Sequence, residues 1–180
     1  MSEFIRIEPA ELEGNTFQLI GSDWMLVTSA NDDGPLVCGN DYNTMTASWG
    51  GLGVLWGRPV AFVFIRPHRY TFGFAESNKR LTLSFFDEKY RKALSYCGKY
   101  SGRDTDKAAD CGLTPVFDTN ESGRAVWFNE AKLVIKTEKL YSDMLEREHF
   151  CSPAPLDCYK ANDFHKLYVC GIDEIIVRKA

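Results

Sequence analysis

The longest wholly apolar run in this 180-residue chain is six residues, Val60-Ala-Phe-Val-Phe-Ile65. It is rich in β-branched and aromatic side chains and stops just before Pro67, which cannot donate to a sheet ladder. Pro59–Ile65 therefore reads as a strand buried on both faces, and the run is far short of the roughly 20 residues a membrane-spanning helix requires. Other segments follow the same grammar. Trp24–Thr28 is a second short buried run, and Leu81-Thr-Leu-Ser-Phe85 alternates apolar with hydroxyl residues, the pattern of a half-buried strand. Ala125–Thr137 and Lys166–Val177 read as longer strands. Helical spacing is confined to short stretches: Tyr90, Ala93, Leu94 and Cys97, closing at Gly98, and Tyr70–Ser77 after Pro67. Ser101-Gly-Arg-Asp104 has the form of a capping box before a brief helix ending near Gly112. The expected architecture is mainly β, an antiparallel barrel or sandwich with short peripheral helices, in a single domain over 1–180.

Charge is unevenly distributed. The formal net charge is -4, which argues against a dedicated nucleic-acid binder. Residues 1–57 hold one base, Arg6, against eight acids, a net of −7. Residues 58–80 hold five bases (Arg58, Arg66, Arg69, Lys79, Arg80) against Glu76, a net of +4. A basic island in an acidic chain marks either a site for a small anion or a solvated basic loop.

The opening Met-Ser-Glu-Phe-Ile-Arg lacks the basic and apolar regions of a signal peptide, so a soluble, cytoplasmic protein without a membrane partner is expected. The six cysteines (Cys38, Cys97, Cys111, Cys151, Cys158, Cys170) include no CxxC pair. They are expected to be reduced and mostly buried thiols. His149, Cys151 and Cys158 have zinc-ligand chemistry without a second closely spaced pair, so no metal site is expected there. No strand is followed by GxGxxG and no phosphate-binding P-loop is present.

Three segments carry candidate chemistry. In Asn43-Thr-Met-Thr-Ala-Ser-Trp-Gly-Gly-Leu-Gly53, extended geometry puts Thr44, Thr46 and Ser48 on one face and Met45, Ala47 and Trp49 on the other. Gly50, Gly51 and Gly53 then permit a sharp turn or a close ligand approach. The segment reads equally as an exposed strand edge followed by a flexible loop. In Phe64-Ile-Arg-Pro-His-Arg-Tyr-Thr71, a buried strand ends in guanidinium and hydroxyl donors (Arg66, Arg69, Tyr70, Thr71) suited to a phosphate, or to pairing with surface acids. Ser101-Gly-Arg-Asp-Thr-Asp-Lys107 is a polar loop entering a helix.

Taken in order with Ser-Phe-Phe at 84–86, these motifs resemble the flavin reductase-like family of FMN-binding split barrels, in particular its flavoredoxin-type branch. The resemblance is dense from Asp23 to Lys107 and thin over 112–160. It implies an antiparallel Greek-key split β-barrel that binds FMN noncovalently as a homodimer, with each flavin near the subunit interface. By the same resemblance, Asn43, Thr44, Met45, Thr46, Ala47, Ser48 and Trp49 lie against the flavin ring and ribityl chain. Arg66, Arg69, Tyr70 and Thr71 fall at the phosphate end, Ser84 and Phe85 on the adjoining strand, and Ser101, Gly102, Asp104 and Lys107 on a loop nearing the cofactor. Lys107 or Arg103 is the candidate positive charge beside the ring. His165, before a hydrophobic strand and Gly171, is the candidate catalytic residue, although the family's Gly-Asp-His is here Asn162-Asp163-Phe164-His165. The implied activity is that of a flavoprotein oxidoreductase moving hydride or electrons from NAD(P)H or a redox protein through FMN. A noncatalytic electron carrier, or a split barrel holding another ligand such as haem, are the alternatives.

Overall fold

In Met25–Ala30 (β2) and Arg80–Phe85 (β6), every residue is buried. The alternation of the sequence sends Met25, Val27, Leu81, Leu83 and Phe85 to one face and Leu26, Thr28, Thr82 and Ser84 to the other. The computed structural model describes residues 4–31 and 41–179. Eight strands make one antiparallel sheet. Besides β2 and β6 these are Phe4–Ile7 (β1), Tyr42–Ala47 (β3), Gly50–Leu55 (β4), Arg58–Ile65 (β5), Leu133–Met144 (β9) and Lys166–Arg178 (β10). The order is β3-β2-β6-β9-β10-β5-β4, with β1 also paired to β10. Register shifts at Val169/Cys170 and Ile172/Glu174 interrupt the long β9–β10 ladder. Such bulges bend a strand and increase its twist, which lets the sheet curl around an interior.

That interior is the first core, built from Met25, Val27, Met45, Val63, Ile65, Leu83, Phe85, Ile135, Tyr168 and their neighbours. A second core lies on the outer face of β2, β6 and β9. The separate hairpin Pro115–Asn120 (β7) and Gly123–Phe128 (β8) covers β2 and β6 there, and the helix Arg91–Lys99 (α3) packs on β3. Two further α-helices precede α3, the single turn Thr16–Gln18 (α1) capped by Asn15 and Tyr70–Ser77 (α2), and one, Lys107–Asp110 (α4), follows it.

Several expectations change at this level. The strand Leu81–Phe85 is not half-buried, because β8 covers its hydroxyl face and the Thr82 hydroxyl donates to the Val126 carbonyl. The stretch Ala125–Thr137 is two strands, β8 and β9, divided by a turn in which Ala131 N donates to Phe128 O at 3.0 Å. Asp106, rather than Ser101, caps the helix before Gly112, its carboxylate accepting from Ala108 N and Ala109 N at 3.1 Å. The glycine-rich segment is strand β4, paired residue by residue with β5. A Cβ at Gly50 would stand 2.8 Å from the Phe62 carbonyl oxygen, so the glycine there serves strand pairing, not flexibility.

Among the described cysteines, all free, Cys97 and Cys170 are buried, Cys111 is half-buried, and Cys151 and Cys158 are exposed, so burial is less general than expected. Cys38 lies outside the described residues. No group of three or more metal-ligating side chains occurs among the described residues. No helix among them is long and apolar enough to cross a membrane.

Candidate functional site

Two cavities open side by side where the end of β3, the β5–α2 connection and the start of β10 converge. The larger, about 330 Å³, is lined by Met45, Thr46, Ala47, Ser48, Trp49, Phe64, Arg66, His68, Arg69 and His165. The smaller, about 160 Å³, is lined by Asn43, Tyr70, Thr71, Lys99, Tyr100, Ser101, Arg103 and Lys107, and shares Met45, His68 and Arg69 with the first. The shared walls make them one groove with two compartments.

The C-terminal end of α3 organises this groove. Cys97 O and Gly98 O near its end lack a following helical turn, and side chains from other segments donate to them and to Leu94 O one turn earlier. Thr46 Oγ1 donates to Leu94 O, Lys107 Nζ to Cys97 O at 3.3 Å, and an Arg69 Nη2 proton to Gly98 O at 2.9 Å. Cations at a helix C-terminus are favoured by the helix dipole. Gly98 sits close against β3, where an added Cβ would be 3.3 Å from Thr46 Cβ. The loop after α3 presses closer still: a Cβ at Gly102 would fall 2.0 Å from Asn43 Oδ1. Asn43 in turn donates to Thr71 Oγ1 at 2.7 Å, and the Arg103 guanidinium lies 4.6 Å from the Tyr70 ring centroid.

The smaller compartment is lined by four basic side chains (Arg69, Lys99, Arg103, Lys107) and no carboxylate among the described residues. Burial, together with the neighbouring Arg69 charge, pulls the Lys107 ammonium down to about 8. Burial first and the Arg66 charge second also lower Arg69. Arg69 and Lys107, partly desolvated beside two more basic side chains and with no carboxylate in the lining among the described residues, make a place where an anion gains free energy by entering.

The larger compartment is different. Arg66 points its guanidinium at Asp163, forms a second bond to Cys158 O at 3.0 Å, and thereby ties the segment before β10 to the end of β5. His165 is buried, with its ring 5.1 Å from that of Trp49, and its Nδ1 lies 2.9 Å from the Tyr159 hydroxyl. Burial first and the Arg66 charge second hold its imidazole down to about 4, so it is neutral near pH 7.

Of the residues expected at a site, Asn43, Met45, Thr46, Ala47, Ser48, Trp49, Arg66, Arg69, Tyr70, Thr71, Ser101, Lys107 and His165 line the groove. The hydroxyl ladder does not face it as a ladder. Thr44 is buried under the outer layer, its Oγ1 2.9 Å from Thr28 Oγ1, and Thr46 is engaged by Leu94. Alternation also ends with β3 at Ala47, so Ser48 and Trp49 reach the cavity from irregular backbone. Ser84 and Phe85 line neither compartment, because β6 is mid-sheet and covered on both faces: Ser84 lies in the outer layer and Phe85 in the barrel core. Gly102 backs the wall through Asn43, and Asp104 is exposed outside it. Phe64, His68, Lys99, Tyr100 and Arg103 complete the lining; His68 and Arg103 stand inside the motifs already quoted, whereas Lys99 and Tyr100 carry no motif of their own.

No family model matches the chain, and no curated protein sequence matches it. Solved structures do. The flavoredoxin of Desulfovibrio vulgaris (Miyazaki F) superposes with a TM-score of 0.64 at 22% identity, covering 87% of this chain and 69% of that one. The FMN-binding domain of a flavin reductases-like enzyme from Shewanella baltica OS155 also gives 0.64, at 13% identity, with coverage of 98% and 78%. The flavoredoxin from Methanosarcina acetivorans gives 0.61 at 20% identity, with coverage of 96% and 77%. A shared backbone at such low identity establishes architecture: this chain takes the split-barrel fold of the flavoredoxins and flavin reductase-like FMN-binding proteins.

Proposed function

We propose that this protein binds FMN in the two-compartment groove and acts as a flavoprotein oxidoreductase, taking electrons from NAD(P)H or a redox protein, as a cytoplasmic homodimer. The observation that carries the reading is the pairing, in a single groove, of a compartment bearing four basic side chains and no described acid with an aromatic-edged one. FMN has the matching parts: an anionic phosphate, a hydroxylated chain and a flat ring. In this reading Arg69, Arg103, Lys99 and Lys107 hold the phosphate, with Ser101, Tyr70 and Thr71 as hydroxyl donors. Asn43 and the stretch from Met45 to Trp49, at and just past the end of β3, flank the chain and ring. The similarity in fold to flavoredoxins and flavin reductase-like proteins supports the same cofactor.

When bound, the flavin would supply the electron-accepting chemistry, so the protein needs no nucleophile or paired carboxylates. The chain's own work is to bind, orient and exclude water. Thr46 has its hydroxyl engaged by Leu94 O, so its contribution to a ligand is through backbone and methyl contacts. Arg66, engaged by Asp163, acts chiefly as the clasp that holds the segment before β10 over the ring compartment. Exposed apolar side chains at Val54, Trp56, Leu140, Tyr141 and Met144 favour a second copy as the partner.

The deciding experiment is titration of the purified protein with FMN and with riboflavin, read by flavin absorbance and fluorescence quenching. FMN is expected to bind much more tightly, because riboflavin lacks the phosphate. Equal affinity would overturn the assignment of the cationic compartment, and no binding of either would overturn the flavin reading. Oxidation of NADH or NADPH by the FMN-loaded protein then separates a reductase from an electron carrier.

A further inference from the structure

The neutral His165 imidazole carries one ring proton, and the fold determines where it sits. His165 Nδ1 lies 2.9 Å from the Tyr159 hydroxyl, the one described partner of that phenol. Tyr159 is 5% exposed and held on several sides. Its ring stacks on Phe164 at 4.8 Å and 29°, meets Phe150 at 5.9 Å, and has the Arg66 guanidinium 5.3 Å from its centroid. Arg66 is itself fixed by Asp163 and Cys158 O, so the phenol cannot easily turn to another acceptor.

Burial raises the phenol above its ordinary range, so it keeps its proton. If His165 carried its proton on Nδ1, two N–H and O–H donors would face each other or the phenol proton would be left without an acceptor. A buried hydrogen bond left unmade costs the full desolvation of the unpaired group. The alternative satisfies the buried pair: the phenol donates to a bare Nδ1, and the imidazole proton sits on Nε2, on the ring that lines the cavity. Nε2 has no partner among the described residues, and the ring lines the larger compartment beside Trp49.

We infer that Tyr159 is a positioning residue that fixes His165 as a neutral Nε2–H donor directed into the larger compartment, toward an acceptor atom of the ring-shaped ligand held there. Only the identity of that ligand rests on the flavin reading. The proton position belongs to the protein alone. An Nε2–H donor of this kind discriminates ligands: it favours a carbonyl oxygen or imine nitrogen at that edge and opposes another N–H donor.

The test is side-chain 15N NMR on ligand-free, 15N-labelled protein at pH 7. The three histidines, His68, His149 and His165, are assigned with His165→Gln as the reference. An imine-type Nδ1 and a protonated Nε2 at His165 are expected. A protonated Nδ1 overturns the proposal, whatever the protein binds. In Tyr159→Phe, which keeps the aromatic packing, the Nδ1 resonance should move toward that of a free imine nitrogen; an unmoved resonance overturns the positioning role. Saturating FMN should shift the Nε2 resonance in the unmodified protein, and Tyr159→Phe should lower FMN affinity about three- to tenfold, the scale of one neutral hydrogen bond. Failure of the unmodified protein to bind FMN defeats the flavin reading and leaves the tautomer result standing.

Discussion

Lys107 brings an ammonium group into the folded protein, buried to 5% exposure, with Cys97 O as its partner and Arg69 as a neighbouring charge. Because its folded value, about 8, lies below the 10.5 of an unperturbed lysine, the unfolded chain holds more protons between those two values. Stability of the ligand-free protein therefore rises with pH across that window as far as Lys107 is concerned. Binding of a phosphate should do the reverse. Above about pH 8 Lys107 loses its charge, so FMN affinity is expected to fall as pH rises through that value. Lys107→Met should weaken binding at pH 7 and remove this alkaline limb. A titration series from pH 7 to 9.5 on both proteins checks it, and identical pH dependence would take Lys107 out of the site. Arg69→Ala, which removes both a cation and the donor to Gly98 O, should cost about 1.5–3 kcal/mol in FMN binding, read by the same titration.

At the level of elements, the C-terminus of α3 and the loop behind it are shaped by close approach. Gly102→Ala would drive a methyl group into the Asn43 carboxamide, so either that side chain gives up Thr71 or the loop moves off β3. About 1–3 kcal/mol of stability should be lost, with weaker FMN binding, because either Asn43 is displaced or Ser101 and Arg103 move with the loop. The hairpin β7–β8 has a different role. It covers the sheet on the side facing away from the barrel interior, and Phe128, wholly buried in the outer core, contributes no atom to the groove lining. Phe128→Ala should cost about 3–5 kcal/mol in denaturant unfolding and leave FMN affinity of the folded protein nearly unchanged. A parallel loss of affinity would mean that the outer layer holds the groove in shape.

These elements also show what could be read in advance. The boundaries of α2 and β5 follow from Pro67 and the apolar run before it, and both match the structure to within a residue or two. The helix through Tyr90 and Cys97 follows equally from its spacing. The burial of Ser84 and the engagement of Thr44 and Thr46 do not, because they depend on what covers the outer face of the sheet. That cover, the β7–β8 hairpin and α3, comes from segments distant in sequence.

For the whole molecule, surface and assembly are the open variables. Val54 and Trp56, 74% and 59% exposed, stand at the tip of the β4–β5 hairpin, and Leu140 and Tyr141 lie on the far half of β9. Apolar exposure of this kind fits the proposed homodimer. Sedimentation equilibrium should give twice the 20.4 kDa of one chain at micromolar concentration, and Tyr141→Asp should shift the balance toward the single chain. A monomer at every concentration would refute the assembly.

The sequence by itself determined the strand-dominated class, the position of the basic turn and the order of the motifs along the chain. These are local properties: periodicity, proline and glycine placement, and charge density survive without any tertiary contact. Only the tertiary structure decided which donors remain free to meet a ligand. It engaged Arg66 with Asp163 and Thr46 with Leu94, lined the smaller compartment with basic side chains and, among the described residues, no acid, and set Tyr159 against His165. A side chain's chemistry is written in its residue type, but its availability depends on partners that folding brings from elsewhere in the chain.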